Sequence, residues 1–273
     1  MRIQIESLDL DQIYESGQCF RWRRIEPGLY EIPSSGHFVQ VRQMGAVFDL
    51  SCDESEFTTF WRSYFDLDTD YERWKAQIDL GDTCLCRAAE YGRGMRILRQ
   101  DLWEILISFL IGQNNNIPRI RTSLNALCAL TQGRFPELQE VAALENATLR
   151  ELGLGYRRSM SGIQQSIMET SHGVGNVARH GDRRGQKGAF GTKGIGPKVA
   201  DCICLYGLHR MDSFPMDTHM RQVVALYYPE GFFSRYEGCA GLMQQYLFYY
   251  HLKKPEATVQ IPAIIEGRVV EGL

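Results

Sequence analysis

At 273 residues, with 44% hydrophobic side chains, the chain has the length and apolar content for a buried core in one large or two modest domains. A net charge of −3 gives no overall basic surplus of the kind that advertises a nucleic-acid ligand, and no run of about 18 apolar residues is present to cross a membrane. Met1 to Glu6 open no apolar signal segment. The eight cysteines are scattered, with Cys84/Cys86 and Cys202/Cys204 as the only close pairs, so a cytoplasmic or nucleoid-associated protein without a metal site is expected.

In chain order, short β-like runs at Arg2 to Ile5, Cys19 to Arg24, Leu29 to Ile32, Phe38 to Arg42 and Ala46 to Leu50, separated by Gly, Pro and Ser, predict an antiparallel sheet. Gly17, just before the second run, reads as a turn. From Glu54 the spacing becomes helical, and Phe57, Phe60, Trp61, Tyr64, Tyr71, Trp74 and Ile78 read as core. Two further helices are predicted at Leu102 to Ile111 and Ile117 to Leu130. Between them stand three asparagines, Asn114 to Asn116, poor helix formers that suit a loop and an N-cap.

The run from Leu152 to Arg157, Leu-Gly-Leu-Gly-Tyr-Arg, taken alone reads as a helix C-cap followed by a helix. From Tyr156 to Lys198 eight basic residues face two acidic ones, so this stretch carries +6 and the remainder −9. Within it, residues 171–193 are glycine-rich and basic without apolar periodicity, which predicts a loop or disorder. Ala240 to Phe248 predict a helix on which Gln244 and Phe248 share a face four residues apart. Residues 255–273 show no usable pattern.

The stretch from Thr192 to Val224 concentrates the chemistry. Gly194 and Gly196 allow a tight turn at positive φ and a close backbone approach, and Pro197 suits the first position of a helix, so a helix is predicted from Pro197. The amides of that turn and helix start offer a concave set of donors for one phosphate oxygen of DNA or a nucleotide. Lys198 falls in the first turn, at the positive end of the macrodipole, a poor place for a lysine kept only for solubility. Cys202, four residues on, shares its face. Pro215 then closes the connection, and Asp217 precedes Thr218 to Leu226 as the N-cap of the next helix. Alone, Lys198 reads as a surface lysine and Asp217 as a cap; on two consecutive helix starts they gain weight as a pair.

Gly-Ile-Gly-Pro-Lys-Val-Ala-Asp-Cys from Gly194 to Cys202, followed by Pro-Met-Asp-Thr-His from Pro215 to His219, resembles the helix-hairpin-helix DNA glycosylases, and specifically the 8-oxoguanine DNA glycosylase family. The resemblance covers roughly residues 1–170 and 194–251. It implies an α+β fold: an N-terminal antiparallel β-sheet domain, TATA-binding-protein-like, over residues 1–80, an all-α helix-hairpin-helix region over 81–251, and a tail at 252–273. It further implies Lys198 as the nucleophile, assisted by Asp217. Gly17, in Ser-Gly-Gln-Cys-Phe-Arg-Trp, would accept through its carbonyl the N7 hydrogen that only the oxidised base carries. Gln244 would bond the pairing edge of that base, which would lie between Phe248 and Cys202. Asn114 would fill the space it vacates, Arg119 and Arg157 would read the orphaned cytosine, and Tyr156 would wedge beside it. Gly194, Gly196 and His219 would hold DNA phosphates.

Residues 171–193 depart from the family pattern, and Thr192 replaces the usual apolar residue two before the first hairpin glycine. Relatives of endonuclease III often carry four C-terminal cysteines for an iron–sulfur cluster; here only Cys239 lies beyond Cys204, so no cluster is expected. No metal or organic cofactor is required, and a monovalent cation on the hairpin carbonyls is the one ion the motif could hold. The expected protein is a bifunctional glycosylase and apurinic-site lyase that acts, as a monomer and away from membranes, on double-stranded DNA containing 8-oxoguanine opposite cytosine. Two alternatives stay open. An alkylated-base glycosylase would use Asp217 with water, against which Lys198 argues; a non-catalytic helix-hairpin-helix DNA-binding module would keep Gly194 to Pro197 but have no need for Lys198, Asp217 and the Gln244/Phe248 face, and the 171–193 departure makes a folded but inactive relative the more serious form of it.

Overall fold

The computed structural model describes residues 1–113, 115–152, 195–228 and 236–254, together with residues 263–265 and 268–270. Strands β1 (Arg2–Gln4), β2 (Arg23–Glu26), β3 (Leu29–Ser34), β4 (His37–Met44) and β5 (Val47–Leu50) form one antiparallel sheet in the order β1-β5-β4-β3-β2. Ser35 and Gly36, at φ 48° and 80°, make the two-residue turn whose twist matches the strands it joins, and this fixes Ser34 opposite His37 and Leu29 opposite Arg42. Alternation then buries Tyr30, Ile32, Val39, Val41, Phe48 and Leu50 in the same core as Trp61, Tyr64 and Phe65.

Two local expectations need correction. The second strand begins only at Arg23, not Cys19: residues 18–22 are buried coil whose polar groups find side-chain partners, such as Trp22 Nε1 donating to Tyr64 Oη at 2.8 Å. Ahead of it lies an unforeseen helix, α1 (Leu10–Glu15), capped by Asp9, whose carboxylate accepts from the Gln12 amide at 3.0 Å while Leu10 and Ile13 turn inward.

After the sheet, α2 (Glu54–Glu56) passes through a wide π turn at Phe57–Trp61 into α3 (Arg62–Tyr64). The helices α4 (Tyr71–Lys75), α5 (Thr83–Tyr91), α6 (Leu102–Ile111), α7 (Ile117–Ala129), α8 (Leu138–Ala142) and α9 (Asn146–Glu151) follow, then α10 (Pro197–Tyr206), α11 (Thr218–Tyr227) and α12 (Ala240–Lys253). Asp53, Asp70, Asp82, Asp101, Asn116 and Asp217 each cap one of these helices through the side chain; the starts after Asp53, Asp101, Asn116 and Asp217 were expected, while those after Asp70 and Asp82 were not. In the tail, β6 (Ala263–Ile265) and β7 (Arg268–Val270) pair antiparallel where the sequence offered no pattern. Among the described residues no helix is long and apolar enough to cross a membrane.

The helix α12 is the axis of the helical half, packed against α5 and α11, while α10 packs on α6. A buried ion pair, Arg21 to Glu104 at 2.8 Å, ties the segment after Gly17 to α6. α12 comes close to the loop after α10 because Gly241 lacks a side chain: a Cβ there would lie 2.6 Å from the Ser213 carbonyl oxygen, 2.6 Å from Leu205 Cδ1 and 3.0 Å from the Met211 carbonyl oxygen. Two of those neighbours are backbone and cannot turn aside. Gly241→Ala is therefore expected to destabilise the fold by about 2 kcal/mol or more, read as a lower urea midpoint at unchanged m-value.

Candidate active site

The helix α10 starts at Pro197, as its sequence dictates, with Gly196 as N-cap. Gly196 itself is a correction: it lies in extended backbone at φ −78°, ψ 165°, not at positive φ, and a Cβ built on it would meet nothing within 4 Å. Lys198 and Cys202 share a face, as the four-residue spacing requires. The half-buried Lys198 ammonium lies 5.2 Å from the centre of the Phe109 ring on α6, and it acts on the Cys202 thiol through both charge and a side-chain hydrogen bond. Burial nevertheless dominates at Cys202 and pushes its thiol up to about 12, so it stays neutral: an apolar, polarisable wall and not a competing nucleophile.

Asp217 is the N-cap of α11, accepting from the Met220 amide at 2.7 Å. Its charge is felt at Cys202 and Tyr206 on α10, where it adds to burial in raising both groups. One carboxylate oxygen is thus tied to the helix start.

The opposite wall comes from α12 and the loop after α1. Gln244 is buried, and its Nε2 donates to the Pro215 carbonyl at 3.2 Å, directly before the Asp217 turn. Its Oε1 is buried and has no hydrogen-bond partner among the described residues. Such an atom is costly to leave unmade and calls for a donor from outside. One turn along, Phe248 is half-buried, and its ring reaches Gly17: a Cβ on Gly17 would lie 3.8 Å from Phe248 Cε1 and 3.4 Å from Ile117 Cδ1. Those are ordinary contact distances, so space would admit a Cβ; it is the backbone at φ +76°, which other residues rarely adopt, that calls for glycine.

His219 is not the exposed cap histidine that its position alone allows. It is half-buried, with its ring edge-on to Phe248 at 6.4 Å between centroids and near His251 at 6.2 Å, and its Nε2 is buried without a partner among the described residues. Arg119 is exposed on the first turn of α7, its amide capped by Asn116 at 3.0 Å, so its guanidinium stands outside the pocket. Asn114, Tyr156, Arg157 and Gly194 lie outside the described residues, as does the 171–193 stretch. Sequence reading overlooked Phe109, which holds the lysine from below, and His251. For Phe109 no signal distinguishes it from its apolar neighbours on α6.

A β-sheet half joined to a helical half, with Lys198 and Asp217 at consecutive helix starts and Gln244 and Phe248 one turn apart on a third helix, has the architecture of a helix-hairpin-helix DNA glycosylase. Residues 1–106 match the family model described as 8-oxoguanine DNA glycosylase, N-terminal domain. The chain is 27% identical to the N-glycosylase/DNA lyase OGG1 of Arabidopsis thaliana, over 95% of this chain and 82% of that protein. Among solved structures it is similar to MBOgg1 in complex with a low-affinity DNA ligand, with TM-score 0.83 and 30% identity over 93% of this chain and 96% of that one. It also matches the 8-oxoguanine glycosylase/lyase of Clostridium acetobutylicum in complex with double-stranded DNA containing cytosine opposite 8-oxoguanine, with TM-score 0.82 and 29% identity over 92% and 94% of the two chains. The chain belongs to the 8-oxoguanine DNA glycosylase family.

His251 sits behind the pocket, its Nε2 3.7 Å from Cys84 Sγ, and burial first, then the proximity of His219, bring it down from 6.5 to about 4. A histidine depressed in this way binds its proton in the unfolded chain before the folded one, so its contribution to stability is complete above pH 6.5 and is lost as pH falls toward 4. Relative to His251→Gln, the unmodified protein should lose about 1.4 kcal/mol per pH unit across that window. Parallel urea titrations of the two proteins check it, and the difference cancels other groups that titrate in the same range.

Proposed function

We propose that the protein is a bifunctional DNA glycosylase and apurinic-site lyase that removes 8-oxoguanine opposite cytosine in base excision repair, acting as a monomer on duplex DNA in the cytoplasm at the nucleoid. The observation that carries this reading is the buried, unpartnered Gln244 Oε1, one helical turn from Phe248, whose ring reaches Gly17. A flipped purine would supply the missing donor from its pairing edge. The Gly17 carbonyl would accept the N7 hydrogen that distinguishes 8-oxoguanine from guanine, and Phe248 and Cys202 would cover the two faces of the ring. In this reading residues 1–80 contribute Gly17 and residues 81–251 the reacting groups, with Asn114, Arg119, Tyr156 and Arg157 handling the gap and the estranged cytosine. Gly194, Gly196 and His219 would meet the backbone phosphates.

The chemistry needs a neutral amine and a carboxylate. Lys198 Nζ attacks C1′, the glycosidic bond breaks, and its electron pair leaves with the base. Asp217 stabilises the positive charge that develops on the sugar. Ring opening of the aminal gives the Schiff base, loss of a C2′ proton breaks the C3′–O bond, and the 3′ phosphate leaves. The proton that the amine sheds on bonding C1′ neutralises the departing base, O4′ takes one from water on ring opening and water takes the C2′ proton, so the steps balance without a metal or organic cofactor.

Borohydride trapping on a duplex with one 8-oxoguanine opposite cytosine is expected to give a covalent adduct with the unmodified protein and none with Lys198→Gln. Duplex binding without any adduct from the unmodified protein would sink the proposal. Asp217→Asn keeps a good N-cap and removes only the charge, so unfolding stability should hold within about 0.5 kcal/mol while single-turnover excision falls on the order of a hundredfold. Equal loss of stability and rate would mean that the carboxylate acts only as a cap.

A further inference from the structure

The pocket walls leave one buried polar chain unexplained. Tyr206, the last residue of α10, donates its hydroxyl proton to Gln245 Oε1 on α12, and Gln245 Nε2 donates to the Ser16 carbonyl at 2.8 Å. Tyr206 is also stacked on Phe109, the ring beneath Lys198, with centroids 5.5 Å apart and planes at 11°. Gln245 has no exposed surface at all. Apolar side chains of the same volume would fill this space without two buried polar groups, so packing alone does not call for them.

What the chain holds is the peptide next to Gly17. On the other side of that glycine, Gln18 is equally buried: its Nε2 donates to the Arg96 carbonyl at 2.9 Å, its Oε1 accepts from the Leu98 amide at 2.9 Å, and its own carbonyl accepts from Gln100 Nε2 at 2.9 Å. The carbonyls before and after Gly17 are therefore both fixed by side-chain amides, and the Gly17 carbonyl lies between two clamped neighbours. Gln100 and Gln18 anchor one side to the 95–100 segment; Gln245 and Tyr206 anchor the other to the two helices that carry Gln244, Phe248, Lys198 and Cys202.

We infer that Gln245 and Tyr206 are positioning residues for lesion discrimination: they set the Gly17 carbonyl relative to the base pocket and the lysine helix. The inference rests on the function proposed above and adds to it what orients the reading group. Discrimination by one hydrogen bond tolerates little displacement of its acceptor. A relay anchored on the nucleophile's own helix keeps reader and nucleophile in one frame.

The test compares two reactions of the same proteins. Excision of 8-oxoguanine opposite cytosine needs the base read; β-elimination at a preformed abasic site needs Lys198 and no base. Gln245→Met removes both contacts at nearly constant volume, and Tyr206→Phe removes only the anchoring hydroxyl while keeping the ring stack. Single-turnover excision is expected to fall on the order of tenfold or more in Gln245→Met and severalfold in Tyr206→Phe, with abasic-site cleavage within about twofold of the unmodified protein in both. Binding preference for 8-oxoguanine over guanine, measured with Lys198→Gln added to each, should narrow in the same order. Parallel loss of excision and lyase rates would show a merely structural role and overturn the inference, as would no loss in either. Should Gln245→Met fail to fold, Tyr206→Phe decides the question alone. An unmodified protein that cleaves abasic sites but leaves 8-oxoguanine in place refutes the proposed substrate itself, and the inference with it.

Discussion

The pocket depends on a seam of side-chain amides between the sheet half and the helical half. Gln18, Gln100 and Gln245 each give a hydrogen to a backbone carbonyl on the far side of that seam, at 2.8 to 2.9 Å, and Gln18 accepts one back from Leu98. Strand pairing cannot join these parts, because the coil around residues 16–22 belongs to no ladder. Buried glutamines do the joining instead, and since a buried polar group left unpaired is expensive, the contacts hold as a set. Gly17 is carried in the middle of this seam, which places a backbone carbonyl against a helix more than two hundred residues away in sequence.

Around that frame the electrostatics separate three groups that could compete. Burial keeps the Cys202 thiol neutral in spite of the neighbouring ammonium, so it lines the pocket and does not react. Asp217 is oriented by its cap, which costs the site nothing because α11 needs one anyway. Lys198 rests on the face of Phe109, and Phe109 in turn is stacked on Tyr206. The amine is thus supported from the core side by a stack of two rings.

Much of this was legible because it obeys local rules. The starts of α7, α10 and α11 follow from Asn116, Pro197 and Asp217, and the face shared by Lys198 and Cys202 follows from helical spacing. Residues 19–22 were misread as strand because Cys19, Phe20 and Trp22 are apolar and buried, and burial is the same signal whether the backbone pairs with a strand or with side chains. The cap at Asp9 was available and marked α1, yet the helix is too short to show periodicity. Gln245 and Tyr206 could not be found at all from the sequence: each contact joins residues far apart in the chain, and the only hint, a polar residue on a helix face otherwise apolar, has meaning once the fold is known.

Two glycines at the site show how the same residue answers to different constraints. Gly17 is required by the protein's own backbone, since its φ of +76° is one that other residues rarely adopt, although a Cβ there would only touch Phe248 and Ile117. Gly196 is required by nothing in the described protein: its backbone is extended, any residue adopts that conformation, and no atom stands within 4 Å of the place a Cβ would occupy. On the function proposed above, a glycine in open space one residue before the proline that begins the helix leaves room for a DNA phosphate to approach. The helix N-terminus favours an anion there, and a side chain would hold a phosphate away from the amides. On that reading the open space in front of Gly196 serves the ligand, whereas the positive φ of Gly17 serves the fold.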